Sequence, residues 1–494
     1  RDTFLDGLFR RQVAGLADAE IRNEFFTRVE DVFLEPGENG LSSRTNQFFD
    51  SLSEFANNVE ELPVRQSVLN EAAALAGLFR ETADRLFTLR TNANDEVINF
   101  VPEINSLAER IAATNAQIRR LEVGGQPASD LRDDRDVLLD DLSRIVSITT
   151  KERDNGVVDI FISGEVLVDD DSTRALEAVR VPTADPERQD LVEVRFVDNG
   201  VPLSVEDGEL FGALTLRDGD LVEIDDRLDQ IAGAIIREIN RVHSQANGLT
   251  NINGATQSTN LVSSAAVPLS AAGLPFSMIA GSFDVNFYGP SGNLLGTSTI
   301  AVDPNSSSLN SVAASLGVFG SVVNGNVLQI QPFPGGSMTF SNDTSGVLSA
   351  LGMNGLFTGK DARSIGVNQE IIDDPNRLSS GNSLDPLDTG DNTAALAMAN
   401  VRNGVFLDNN TASINDFYES TIVKIGIDAR ANAQNLEVEQ AFVNTFERRR
   451  QEVSGVSIDE EVTLLLQFQR AFEASARVVS VTDRMLEALL TMAL

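Results

Sequence analysis

Cysteine is absent from all 494 residues, which removes disulfides, thiolate metal ligands and cysteine nucleophiles together. Such a chain suits a place outside a reducing cell without staples, and equally a cytosolic one. The single histidine, His243 in INRVHSQANG, cannot supply the two or three imidazoles of an ordinary zinc site or a Ser-His-Asp set with one to spare. It is expected to be a structural residue on a helix surface. Tryptophan is missing, and only Tyr288 and Tyr418 accompany 27 phenylalanines. Phenylalanine fills cores but lacks the polar handle used in sugar- and base-stacking platforms. Positive charge is scarce as well: 38 Lys and Arg stand against 74 Asp and Glu, a net charge of −36. Phosphate backbones and anionic lipids repel such a chain, so neither nucleic acid nor membrane is an expected partner. No apolar run approaches the ~18–20 residues of a membrane span, and no signal peptide is visible. The first residue is Arg1 rather than Met, so the sequence reads as truncated or processed.

The catalytic motifs are also missing. No phosphate-binding G-x-x-x-x-G-K-[ST], no G-x-S-x-G and no dinucleotide fingerprint is present. Asp169 to Asp171 and the group Asp133, Asp134, Asp136 lack the spacing of a calcium loop, and are expected as solvated carboxylates. Arg135, set among the latter, suggests a local ion-pair network. No cofactor, metal or enzymatic activity is expected.

What is present is periodicity. Residues 1–147 read as helices, with Phe48, Phe49, Leu52 and Phe55 on one face. EPGENG (35–40) and VGGQPAS (123–129) are read as breaks. A seam of Val97, Val101, Ile104, Ala108, Ile111, Asn115 and Ile118 implies a packed helix, with Asn115 as a register-fixing polar residue and Pro102 as a kink or restart. Residues 148–206 alternate and form a small β region. Residues 207–250 return as a helix with Leu221, Ile224, Leu228, Ile231, Ile235 and Ile239 in one stripe. Residues 251–363 are turn-rich and β-rich, an inserted domain with a short helix near Leu309 to Leu316. A linker (364–390), a second helical part (391–453) and a terminal helix (454–494) follow. The expected fold is α+β multidomain: a long-helix coiled-coil or bundle domain made from both chain ends, carrying inserted all-β domains.

The terminal helix poses the functional question. Ile458, Val462, Leu465, Phe472, Ala476, Val479, Leu486 and Leu490 fall at heptad spacing, and Ser457 with Glu460 has capping-box spacing. Nothing after it can fold back as a partner. Left wet, such a seam is an aggregation hazard, so it is expected to be an assembly surface, with at least the part from Val479 onward unpacked within the chain.

Five segments, in order, resemble the hook-associated protein 1 family of flagellar junction proteins. They are DTFLDGLFRRQ, then NGLSSRTNQFFDSLSEFANNVEELPVRQSVLNEAAALAGLF, then INSLAERIAATNAQI with SDLRDDRDVLLDDLSRIV, then GELFGALTLRDGDLVEIDDRLDQIAGAIIREINRVHSQANG, and finally VSGVSIDEEVTLLLQFQRAFEASARVVSVTDRMLEALL. The resemblance leaves out the β domain. The family's N-terminal amphipathic helix and its Asn-rich Thr-Pro-Gly-Tyr turn have no counterpart, so the sequence is expected to begin after them. That helix, with equivalent helices of neighbouring subunits, is the expected mate of the terminal seam. The resemblance implies a non-enzymatic structural protein, exported through the flagellar channel to the hook–filament junction outside the cell. Its implied partners are copies of itself in a ring or helical lattice, the hook protein, the second hook-associated junction protein, and a cytosolic export chaperone on the C-terminal helix. Other readings are a secreted adhesin or carbohydrate-binding module on a helical stalk, and a hydrolase carried on such a scaffold.

Overall fold

The computed structural model describes residues 2–33, 37, 40–123, 128–182, 190–385, 387–454 and 458–492. The predicted breaks at 35–40 and 123–129 fall largely outside these residues, as does the capping position Ser457.

Helix α1 (Thr3–Phe33) leads to α2 (Leu41–Asn57), α3 (Leu62–Val123) and α4 (Ser129–Ile145). At ~1.5 Å rise per residue α3 is about 90 Å long, and it threads two cores. Its first half packs Val68, Ala72, Leu75 and Phe79 against Phe48, Phe49, Leu52 and Phe55 of α2. Its second half packs Val97, Ile104, Ala108 and Ile111 against Leu138, Leu139 and Leu142 of α4 and the first β region. Pro102 neither ends α3 nor restarts it. The residue is exposed, and the carbonyl that loses its donor belongs to Ile98, which is 39% exposed, so water can take the place of the lost bond.

The first β region holds a four-stranded antiparallel sheet, β1 (Thr149–Glu152), β2 (Val158–Ile162), β3 (Glu165–Asp169) and β4 (Ser172–Thr173), beside a pair of strands, β5 (Leu176–Arg180) and β6 (Val192–Phe196). Three asparagines on α3, about three helical turns apart, mount it. Asn94 donates to the Asp190 carbonyl at 3.2 Å and accepts from Val192 N–H at 3.0 Å. Asn105 holds both backbone groups of Leu176, each at 2.8 Å. Asn115 donates to the carbonyls of Val158 and Asp170 at 2.9 and 2.8 Å, and accepts from Val158 N–H at 3.2 Å. The expected register residue is therefore a clamp on strand ends, which would otherwise be buried without partners.

Helix α5 (Glu209–Thr215) runs through a π turn (Leu216–Asp220) into α6 (Leu221–His243). The π turn carries Arg217, a buried residue that donates to Asn94 Oδ1 at 2.9 Å and to the Val192 carbonyl at 2.8 Å. The six stripe residues of α6 are all buried.

The second β region, with α7 (Leu309–Ser315) and α8 (Val347–Leu351), has its own core around Phe283, Ile300, Leu328, Met338 and Phe340. Its strands are β7 (Thr256–Gln257), β8 (Gly281–Tyr288), β9 (Leu294–Val302), β10 (Gly320–Val323), β11 (Val327–Ile330) and β12 (Ser337–Ser341), arranged in two sheets ordered β10-β11-β7 and β12-β8-β9. The short pair β13 (Phe357–Thr358) and β14 (Gly366–Val367) follows, and Asn240 of α6 clamps both backbone groups of Phe357 at 2.7 and 2.9 Å.

His243 completes this attachment. It is fully buried, not on a surface as the sequence suggested, because residues far along the chain cover the end of α6. Its Nδ1–H donates to the Asn354 carbonyl at 2.8 Å and its Nε2 accepts from Ser379 N–H at 3.0 Å. Burial pushes its pKa down to about 4. The neutral ring is the one that fits, so its stability contribution is complete above the unfolded value near 6.5 and is lost as pH falls from there to about 4. The limit is about 3 kcal/mol. Asp18 on α1 opposes this trend. Burial, partly offset by Arg22, raises its carboxyl to about 6, so protonation on acidification favours the fold. The expected result is a urea midpoint that falls between pH 7 and 4.5 in the parent and falls less in His243→Gln. An identical fall in both would refute the role given to His243.

Candidate assembly surface

Helices α9 (Gln369–Asp373) and α10 (Thr393–Asn400) and the hairpin β15 (Val405–Leu407) with β16 (Ala412–Ser413) lead into α11 (Ile414–Ser454), then α12 (Ile458–Met492). Helix α11 lies along α1, so the two ends of the chain form one body. An ion network fixes this joint. Arg10, a buried residue, contacts Asp136 at 2.9 Å and Asp140 at 2.8 Å, while Arg450 contacts Asp140 at 2.6 Å and Asp6 at 2.8 Å. Asp136, expected as a solvated carboxylate, is instead buried and paired with Arg10. The network expected around Arg135 is built by Arg10 and Arg450, while Arg135 turns inward, donating to Asn115 Oδ1 at 3.1 Å and to the Gly156 carbonyl at 2.7 Å. Arg10 and Arg450 are held by carboxylates on other helices, which ties α11 to α1 and α4.

Beyond that joint the burial stops. Every described side chain of α12, from Val462 to Leu489, is exposed. Leu465 is 65% exposed, Phe472 76% and Val479 62%, and Val462, Ala476 and Leu486 are exposed as well. The side chains of Ile458 and Leu490 lie outside the described ones. The part from Val479 onward is exposed as expected, and the exposed stretch begins at least at Val462. The apolar surface is also broader than one seam, because Leu464, Leu466, Phe468, Val478, Val481, Met485 and Leu489 are exposed too. A heptad count selects one line of positions and passes over those beside it. An apolar arc this wide suits a helix touched from two sides.

The outer face of α11 carries a second stripe that the sequence reading missed: Val423, Ile427, Val438 and Phe442 are all exposed. Their i, i+4 spacing was the available signal. The other face of the same helix buries Ile414, Tyr418, Ile425 and Val443.

Among the described residues no three His, Cys, Asp or Glu side chains converge as metal ligands. A polar cleft of about 310 Å³ opens between the end of α6, β12 and the linker, lined by Asn247, Tyr288, Ser380 and Asp391. Its best-placed carboxylate is engaged, for Asp391 accepts from Asn382, Ser383 and Thr393 N–H groups at 2.7 to 2.9 Å. No helix among the described residues is long and apolar enough to cross a membrane.

Residues 26–257 match the family described as Flagellar hook-associated protein FlgK helical domain, and residues 448–492 match Flagellar basal body rod FlgEFG protein C-terminal. The chain is 25% identical to Flagellar hook-associated protein 1 of Escherichia coli (strain K12), across 99% of this chain and 87% of that protein. It is 27% identical to Flagellar hook-associated protein 1 of Bacillus subtilis (strain 168), across 99% and 83%. Nearly the whole chain is thus similar to flagellar hook-associated protein 1. The solved structure of the flagellar hook junction protein FlgK from Burkholderia pseudomallei shares the fold, with a TM-score of 0.59 at 16% identity, over 91% of this chain and 100% of that one. The first match takes in α2 to α6 with the asparagine-mounted β region, and the second takes in all of α12. Both stretches were among those quoted for the resemblance. The β domain from Ser258 on lies between the two matches.

Proposed function

We propose that this protein is a structural subunit of the hook–filament junction of the bacterial flagellum, joining its neighbours through its terminal helix. The observation that carries this reading is α12: a helix of 35 residues whose described apolar side chains all stand in water, on a chain similar to flagellar hook-associated protein 1. Fully burying a side chain such as Leu or Phe is worth roughly 1.5–3 kcal/mol, so Val462, Leu465, Phe472, Val479 and Leu486 together offer ample driving force for assembly. Ile458, Ala476 and Leu490 extend the same line of positions. Copies of the chain, the hook protein and the second junction protein are the partners that cover it after assembly. Before assembly the same surface needs a cytosolic export chaperone, and the route out is the flagellar export channel. Nothing in this role requires catalysis. The helical body carries α12, and residues 251–363 form an inserted domain attached through Asn240 and His243.

Removing Ser457 to Leu494 should leave a folded, soluble protein that no longer enters junctions. Incorporation of the shortened chain at the parent level would end this reading.

A further inference from the structure

Charge is distributed very unevenly along this chain. From Ser244 to Gly359 the only charged side chains at neutral pH are Asp284, Asp303 and Asp343, although 23% of the whole sequence is charged. The β domain is therefore a nearly neutral body on a strongly acidic one. Two copies repel wherever their helical parts face each other, and the β domain is where they can approach without that cost.

Within it, one strand is open. In the order β12-β8-β9, β9 is an edge. Its nine residues, LLGTSTIAV, contain no charge and no proline. Edge strands are ordinarily guarded by one or the other, or by a bulge or cover, because alternate residues direct unpaired N–H and C=O groups outward. In β9 the register shifts only at the start, between Leu294 and Gly296, and Gly296 to Val302 pair regularly with β8. Here Leu294 to Thr297, Thr299 and Ala301 are exposed, and among the described residues no backbone hydrogen bond leaves the outer side of β9. The strand is held rigid for pairing. Ile300 and Val302 are buried in the domain core, and Thr297 and Thr299 bond Asn286 Oδ1 and Asp284 Oδ1 of β8 at 2.7 and 2.5 Å.

We propose that β9 pairs antiparallel with β9 of a second copy, joining two three-stranded sheets into one of six strands. Overlap of the regular part of β9 with itself, centred on Ser298, sets Gly296 opposite Ile300. Thr297 then stands opposite Thr299 of the other copy, and hydroxyl meets hydroxyl, a favourable cross-strand combination. A register centred one residue later sets Ser298 against Ile300. The contact is two-fold, so it joins free copies in pairs and does not propagate along a polar axis. It rests on the edge alone and is independent of the junction reading.

Because the chain has no native cysteine, single substitutions report the register directly. In the full chain under mild oxidation, Ser298→Cys should form an intermolecular disulfide about tenfold or more faster than Leu294→Cys. Position 298 meets its own copy, whereas position 294 and its copy lie eight residues apart, about 27 Å. Association through α12 would not favour one of these positions over the other. Thr297→Lys with Thr299→Lys places like charges opposite each other and should abolish the Ser298→Cys cross-link. Thr297→Lys with Thr299→Glu should restore it, because each lysine then faces a glutamate. Equal rates at 298 and 294, or a cross-link indifferent to the two lysines, would overturn the proposal.

Discussion

Leu465→Asp with Phe472→Asp should abolish incorporation into the hook–filament junction and leave the free protein as stable as its parent. The two halves of this outcome have different causes. In the free chain both side chains are exposed, at 65% and 76%, so replacing them removes no packing. Substitutions of that kind stay within about 0.5 kcal/mol, and the melting temperature should move by no more than about 2 °C. On the proposed assembly the same positions would become buried against neighbours, and two carboxylates would enter an apolar contact without cations. At roughly 2–3 kcal/mol for each the loss is about 10³-fold in affinity or more. Arg477 falls on the opposite side of α12 by helical period, so Arg477→Asp should incorporate normally. A double variant that melts early, or one that assembles, would contradict this account.

Asn115→Leu should cost about 3–5 kcal/mol, although leucine suits the seam on which the residue lies. The amide makes three bonds to strand backbone and accepts a fourth from Arg135. Leucine would strand the Val158 N–H, the Val158 and Asp170 carbonyls and one guanidinium donor, each costing roughly 1–3 kcal/mol when buried. Partial access of water to the Asp170 carbonyl keeps the total below the sum. The damage should be local: hydrogen exchange should accelerate across β2 and β3 and stay unchanged in α2 and α6. A urea midpoint equal to the parent's would show that the clamp contributes nothing.

These residues also mark where sequence reading works and where it stops. The faces of α2 and α6 were legible because burial on one side imposes a 3.6-residue period, and Phe48, Phe55, Ile231 and Ile239 keep it strictly. Helix α12 was legible through the same period and through its lack of anything to meet. Asn94, Asn105 and Asn240 carry no such signal. An amide clamp becomes visible only when the strand end it holds, 43 to 117 residues away along the chain, is brought beside it. His243 misled although it lies one turn beyond Ile239 on the buried stripe of α6, and it is covered by Asn354 and Ser379. Pro102 misled in the opposite sense, since the penalty for a proline in a helix assumes a carbonyl with no other donor. The single-seam picture of α12 was too narrow because a heptad template records one contact line.

The claim at the centre of this account is that the exposed face of α12 becomes a buried contact on assembly. A protein without native cysteine allows a direct test. Phe472→Cys should react rapidly with a maleimide in the free protein and be protected in purified junctions, while Arg477→Cys should react in both. Equal reactivity of position 472 before and after assembly would contradict the account.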